Sequence, residues 1–219
     1  REYISQGVLS VEEKIEDKFE KEQSKNRKYW SKIISEDENE KVEFKATFIT
    51  PIPTKEKDKV IQYLNGKIND TTDPEKIKEF NNKIDKIIEE TKNVQNIDKI
   101  VFHNAFKTIA AFANTNGGHL ILGVNYDLKI FGLEQDYNSI RKDPTRDGFQ
   151  KFFESKMVDY FGESFASTSL KTNFLKFPEG DIFIINVEKS VEEVFLLKDN
   201  NGKKNEIIYV RNLASTHPL

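Results

Sequence analysis

The stretch from Phe106 to Gly132 constrains the fold most, because it leaves little slack between a helix and a strand. It reads FKTIAAFANTNGGHLILGVNYDLKIFG. An apolar helical pattern ends at an Asn-Thr-Asn-Gly-Gly corner, and a buried-strand pattern begins at His119. Two adjacent glycines permit positive φ and the close approach of another segment or a ligand. We predict a helix C-cap and tight connection, a structural motif that supports a neighbouring site: Asn114, Thr115, Gly117 and Gly118.

Strand patterns on both sides of this corner define the fold class. Residues 42–48 alternate between apolar and polar side chains, which predicts a strand with Glu43, Lys45 and Thr47 on an exposed face. Adjacent strand patterns joined by short turns predict an α+β fold with a mixed, largely antiparallel sheet packed with helices. The predicted hairpins pair 119–124 with 130–133, 172–177 with 181–187, and 195–197 with 207–211.

Helical patterns outside the sheet indicate two additions to the core. An N-terminal helical extension is predicted over residues 1–35, followed by one domain over 36–219. Within this domain, Asp73-Pro74-Glu75 forms a strong helix start, and an amphipathic stripe follows it. These signals predict a helical insertion at about residues 52–95, to which we assign no chemistry.

Composition excludes several classes of function. The chain has no Cys and three His, so disulfides, thiolate sites and a zinc centre are not expected. It has no apolar run near the about 20 residues that span a bilayer and no secretory signal, so we expect a cytoplasmic protein without a membrane partner. P-loop and dinucleotide fingerprints are missing as well. Because the chain starts at Arg1 and its one Met is Met157, we also expect further domains outside it.

Charged residues offer two kinds of candidate site. Acidic residues gather before and within the first strand, and Asp127 follows the strand after the corner; such carboxylates can hold Mg²⁺ or Mn²⁺ or form a solvated acidic loop. Glu43 and Lys45 lie about 7 Å apart along one strand, which suits an ion pair or a site. The net charge of −3 requires any nucleic acid to be held by a local basic patch. Arg141, Lys142, Arg146 and Lys151 form the candidate patch.

Four motifs, in order, resemble the Schlafen-type AlbA-like domain, a family described as DNA-binding. They are VEFK at 42–45, IAAFANTNGGHLILGV at 109–124, IFG at 130–132 and YVRNLASTHP at 209–218. The resemblance covers residues 38–218, interrupted by the insertion. It implies a Schlafen/AlbA-like core.

Animal members of the family are metal-dependent endoribonucleases that cut transfer and ribosomal RNA with three acidic residues. By this resemblance, Glu38 and Glu43 are the first two acids, catalytic and metal-binding, with Mg²⁺ or Mn²⁺ as cofactor. The third falls where animal members show Asp-Asp; this chain has Asn125-Tyr126-Asp127, so Asp127 takes the role in a shifted register. The animal zinc site has no counterpart, because Cys is absent.

Two functions follow from the resemblance, and a third stays open. The first is a divalent-metal-dependent endonuclease that acts on tRNA-like RNA or single-stranded nucleic acid, with Lys45 and Arg211 neutralising phosphate charge. The second is a non-catalytic DNA- or RNA-binding or sensing module of a larger regulatory or prokaryotic defence protein. The third is a protein-interaction domain. Because animal members use two such lobes, a homodimer is the expected way to build a comparable groove.

Overall fold

The computed structural model describes residues 2–51, 54–92, 97–200 and 203–219, and the side chains within 18, 20–51, 57–88, 101–197 and 206–219. The described helices are α1 (Glu2–Ser35), α2 (Thr54–Asn69), α3 (Pro74–Lys92), α4 (Ile97–Asn114), α5 (Glu134–Ser139), α6 (Arg146–Phe161) and α7 (Glu163–Thr168). The described strands are β1 (Val42–Lys45), β2 (Gly118–Leu122), β3 (Leu170–Phe177), β4 (Gly180–Val187), β5 (Phe195–Asn200), β6 (Lys203–Asn212) and β7 (Ser215–Pro218). Residues 52, 53 and 93–96 of the predicted insertion, and 201 and 202 of the last predicted turn, lie outside the described residues.

A four-stranded sheet with the order β1-β2-β4-β3 forms the centre of the fold. β1 and β2 are parallel, whereas β2 pairs with β4 and β4 with β3 in antiparallel register. The parallel pair is possible because more than seventy residues separate β1 from β2, long enough for a helical crossover. The predicted α+β fold with a mixed, largely antiparallel sheet is confirmed.

Apolar side chains cover both faces of this sheet. On one face, phenylalanines from α4, α6 and β4 form an aromatic cluster around Phe48, which is completely buried. On the other face, Trp30, Ile33 and Ile34 near the end of α1 pack against β1 and β2. Within the described residues, each helix is too short or too polar to span a bilayer.

The helices α2 and α3 have a small apolar core of their own, built on Val60, Leu64 and Ile87. Tyr126, in the loop after β2, packs against that core and so joins the two helices to the sheet. Their amphipathic faces therefore bury against each other, as the sequence pattern indicates. The proposed boundaries at 1–35, 36–219 and about 52–95 remain predictions.

A smaller sheet with the order β5-β6-β7 packs beside the end of α4. The β3–β4 and β5–β6 hairpins match two of the predicted pairings. The predicted pairing of 119–124 with 130–133 is present only at its turn end, where an antiparallel bridge joins Val124 to Ile130 and the Phe131 N–H donates to Gly123 O at 2.8 Å. Along Gly118–Leu122 both edges of β2 are occupied, by β1 and β4, so the returning segment cannot pair further along this strand.

α5 follows instead, and it places Asp136 in the core. Its carboxylate accepts hydrogen bonds from the backbone N–H groups of Phe48 (2.6 Å), Ile49 (3.0 Å) and Thr50 (2.9 Å). These bonds give the backbone N–H groups just after β1 an acceptor, because that segment has left the sheet and has no neighbouring strand to bond with. The buried carboxylate thus fixes how β1 leaves the sheet.

Candidate functional site

Glu43 lies at the centre of the site, and its side chain is 10% exposed. The prediction that it lies on an exposed strand face is wrong. Arg211, at the far end of the chain on β6, covers it and donates from Nη1 to Glu43 Oε2 at 2.9 Å. Lys45 contacts the other carboxylate oxygen through its Nζ. Glu43 is therefore held between two cations.

The charge of this carboxylate is strongly favoured despite its burial. Burial raises the pKa of Glu43. The positive charges of Lys45, Arg211 and Lys86 lower it, and their combined effect is larger. The pKa falls from its usual 4.5 to about 2. Glu43 consequently stays ionised across the physiological pH range.

Arg211 is almost completely buried, with 1% of its side chain exposed. Besides the bond to Glu43, its guanidinium donates to the backbone oxygens of Asn39 (2.6 Å) and Val42 (3.1 Å). It also lies over the ring of Phe112, 4.7 Å from the ring centroid. Arg211 therefore connects the smaller sheet to β1. Its guanidinium is too deeply buried to contact a phosphate directly.

The Asn-Thr-Asn-Gly-Gly corner supports this arrangement from below. Gly117 has φ +67°, and its N–H donates to Phe112 O at 2.8 Å, as a helix C-cap requires. A Cβ on Gly118 would lie 2.6 Å from the Phe112 ring and 2.7 Å from a backbone oxygen of Lys41. Only a glycine allows the helix end, this ring and β1 to approach so closely.

The two other residues of the predicted motif stabilise the corner. Asn114 donates to the backbone oxygens of Val194 (2.8 Å) and Tyr209 (3.0 Å) and accepts from the Val194 N–H at 2.7 Å. The Thr115 hydroxyl donates to Ala111 O at 2.6 Å. Asn114 thus connects the helix end to both β6 and the segment that leads into β5.

Glu38 approaches the same region from the loop before β1. Its Oε1 accepts from the Phe44 N–H at 2.9 Å, and its Oε2 lies 3.1 Å from Lys83 Nζ on α3. Burial lowers the pKa of Lys83, but Glu38 and Glu79 together raise it above its usual value. Lys83 is therefore a permanently charged partner of Glu38.

These groups line one groove with a volume of about 430 Å³. Its walls come from β1, α3, α4 and the β6–β7 hairpin, which supplies Ser215, Thr216 and His217. Four lysines line the groove against three glutamates, Glu38, Glu43 and Glu79. Those lysines are Lys45, Lys83, Lys86 and Lys107.

Asp127 does not join the other two acids in the groove lining. Its Oδ2 lies 2.8 Å from Lys129 Nζ, and Oδ1 is buried without a hydrogen-bond partner among the described residues. In the part of the chain that the structure describes, no three His, Cys, Asp or Glu side chains are close enough to hold a metal ion. Since Glu38 and Glu43 are each paired with lysine, this donor set does not fit a divalent cation in the arrangement described.

The predicted basic patch lies elsewhere. Arg146 pairs with Asp181 at the start of β4 and lies over Phe174 of β3, so it is at the sheet edge opposite β1. Lys151 pairs with Asp147 on α6, and Arg141 and Lys142 are exposed in the preceding turn. The structure therefore separates Arg141, Lys142, Arg146 and Lys151 from Lys45 and Arg211.

Sequence reasoning missed the lysines that α3 and α4 contribute. Lys83 and Lys86 are three residues apart and lie on one helical face, a pattern that is common on solvated helices. The insertion is predicted to carry no chemistry, yet α3 forms one wall of the groove. Only the docking of α3 beside β1 distinguishes these lysines from the others on its surface.

A family model described as Schlafen, AlbA_2 matches residues 79–219, more than half of the chain. The chain belongs to the Schlafen AlbA_2 family. This confirms the resemblance drawn from the motifs and indicates a nucleic-acid-binding domain. The matched range contains the corner and the YVR strand of this Schlafen domain, whereas β1 precedes it.

No curated protein matches the chain. Among solved structures, it is similar to the crystal structure of the DIP2311 protein from Corynebacterium diphtheriae, with 18% identity and a TM-score of 0.33. The similar region covers 53% of this Schlafen chain and 19% of that one. So low a likeness supports no statement about fold or function.

Proposed function

We propose that the groove beside β1 binds single-stranded nucleic acid or RNA, with phosphates contacting its lysines. The observation that carries this proposal is that four lysines from β1, α3 and α4 line one groove of a chain whose net charge is −3. The lysines of the groove exceed its glutamates by one, and a phosphodiester backbone is the polyanion that such a local excess of positive charge attracts. The family supports nucleic acid as the ligand class.

The groove also offers groups suited to the rest of a nucleotide. The partly exposed Tyr126 forms part of its lining, and aromatic rings are common stacking platforms for unpaired bases. Thr216 and Asn104 provide hydrogen-bonding side chains for sugar or phosphate oxygens. Entry of a phosphate would compete with Glu38 for Lys83. Binding is expected to weaken with salt because lysines that neutralise phosphates release counterions.

A neutralising double variant tests the proposal. Lys86→Gln/Lys107→Gln removes two positive charges, keeps a long polar side chain at each position and leaves the Glu38–Lys83 pair in place. We expect its affinity for transfer RNA and for single-stranded DNA to fall. The slope of log K against log salt should also become shallower, by roughly 0.7 for each single-strand phosphate that the variant no longer neutralises.

Lys189→Glu is the control, because Lys189 is exposed and does not line the groove. Thermal unfolding of each variant shows whether the fold is intact. An affinity that does not change between low and moderate salt would argue for a protein partner instead of nucleic acid.

The second candidate function is divalent-metal-dependent endonuclease cleavage, which requires Glu38 and Glu43 to separate from their lysine partners before a cation could bind. One observation favours it: Glu38 and Glu43, the two acids that match the family's catalytic positions, both line the groove. Incubation with transfer RNA, with Mn²⁺ or with EDTA, tests for this activity. Because Glu43→Ala removes a buried partner of Arg211, Glu43→Gln is measured alongside it; cleavage that survives both changes would rule out this carboxylate as a catalytic group.

A homodimer is proposed as the way in which one Schlafen lobe gains a second wall for a long ligand. Light scattering over a range of protein concentrations tests it directly. A monomer at every concentration, both with and without transfer RNA, would exclude this arrangement.

A further inference from the structure

A second cleft, of about 630 Å³, lies between α1 and the outer edge of the sheet at β3. It is open to solvent on the edge opposite the groove, because β3 and β1 are the two outer strands of the sheet. Three inter-strand spacings of about 4.8 Å separate these strands, so their backbones are about 14 Å apart, and the two sites share no lining residue. The cleft is thus distinct from the groove.

Positive charge dominates the lining of this cleft. α1 contributes Lys21 and Arg27, α6 contributes Arg146, and β3 contributes Lys176, against one acid, Glu20. Since these four cations come from three elements that are distant in sequence, their convergence depends on the fold. A polyanion is the ligand that this lining complements.

One side of the cleft carries an arginine next to an aromatic ring. Arg146 forms a two-point ion pair with Asp181, and the Tyr137 hydroxyl donates to the same carboxylate at 3.0 Å. The guanidinium therefore has a fixed orientation, with its carbon 5.7 Å from the centroid of the half-buried Phe174 ring. About 43% of the Arg146 side chain stays exposed. Guanidinium groups and aromatic rings are the groups on which unpaired bases commonly stack.

We propose that this cleft is a second nucleic-acid site, which binds a single-stranded segment with one base against Arg146 and Phe174 and its phosphates at Arg27 and Lys176. Volume agrees with this ligand, because clefts of about 300–1,000 Å³ hold ligands of nucleotide size. A strand that enters both the cleft and the groove must be longer than one that fills either site.

Charge reversal on the full chain tests the phosphate contacts. Arg27→Glu/Lys176→Glu is compared with Lys189→Glu, an exposed control at the other end of the β3–β4 hairpin. The probes are labelled oligouridylates of about 6 and about 20 nucleotides, lengths that bracket typical single-strand site sizes. We expect the double variant to lose about tenfold in affinity for the longer strand, with a salt slope shallower by roughly 1.4. The control keeps both values.

Phe174→Leu tests the stacking surface, because it keeps an apolar group against the core but removes the ring. It is expected to lower affinity without changing the salt slope, a result that a loss of charge does not produce. The cleft proposal is overturned if the cleft variants keep the affinity and salt slope of the wild type while Lys86→Gln/Lys107→Gln loses affinity. That result would support the groove as the binding site. The reverse pattern supports the cleft and overturns the groove. Uridine monophosphate that binds as tightly as the longer strand overturns a strand site in favour of a free-nucleotide site.

Discussion

Protonation of Glu43 at low pH should destabilise the protein, because the fold loses the attraction between this one buried negative charge and its neighbouring cations. A carboxyl group whose pKa is lower in the folded than in the unfolded chain stabilises the fold above its unfolded pKa. That stabilisation is lost as the pH falls through the folded pKa. For Glu43 this window runs from about pH 5 to pH 2, since its pKa falls from 4.5 to about 2.

The expected magnitude follows from the same shift. One pKa unit corresponds to about 1.4 kcal/mol, so the full effect of Glu43 is about 3 kcal/mol. Because the carboxyl is only partly protonated in the folded state at pH 3, about 2 kcal/mol of this is expected to be lost between pH 7 and pH 3. Solvent screening reduces it little, since the residue is 8% exposed.

Urea unfolding of the wild type and Glu43→Gln, at several pH values, isolates this contribution. The other carboxylates are common to both proteins, so the difference in free energy of unfolding reports Glu43. We expect the wild type to exceed the variant at pH 7 and this margin to shrink by about 2 kcal/mol at pH 3. Glu192→Gln is the matched control, because Glu192 is exposed.

A margin that stays constant within about 0.5 kcal/mol from pH 7 to pH 3 would refute the reasoning. It would mean that Lys45 and Arg211 do not stabilise the ionised carboxylate over the protonated one. A margin that shrinks equally in Glu192→Gln would show a general effect of charge instead.

Three further changes probe how the site is held. Asp136→Ala should lower the free energy of unfolding by about 3 kcal/mol, because three backbone N–H groups lose their acceptor; Asp136→Asn, which keeps one oxygen, should cost less. Gly118→Ala should lower it by about 1–3 kcal/mol, because the new Cβ meets the Phe112 ring and a backbone oxygen. Arg211→Lys should cost about 2 kcal/mol although the charge is kept, since lysine cannot reproduce the guanidinium's bonds to two carbonyls and Glu43. Chemical denaturation measures all three, and values near zero would contradict the contacts described.

Local patterns were sufficient for much of the fold. The β3–β4 pairing follows from two alternating segments joined by a short turn, and the C-cap at Gly117 follows from its glycine pair. Both depend on residues less than about twenty positions apart, where periodicity and turn chemistry act. The hairpin predicted after β2 is reduced to one bridge, between Val124 and Ile130, because periodicity does not show which strand edges are already occupied.

The sequence by itself determined the family, the α+β class and the glycine corner, because local propensity and ordered motifs carry that information. Only the tertiary structure decided that Glu43 is buried, since its cover, Arg211, comes from the other end of the chain. It also decided that Lys83 and Lys86 line the groove and that the basic residues near α6 lie on the opposite edge. Burial and charge pairing are properties of residues that meet in space, and no local pattern in this chain records which distant residues will meet.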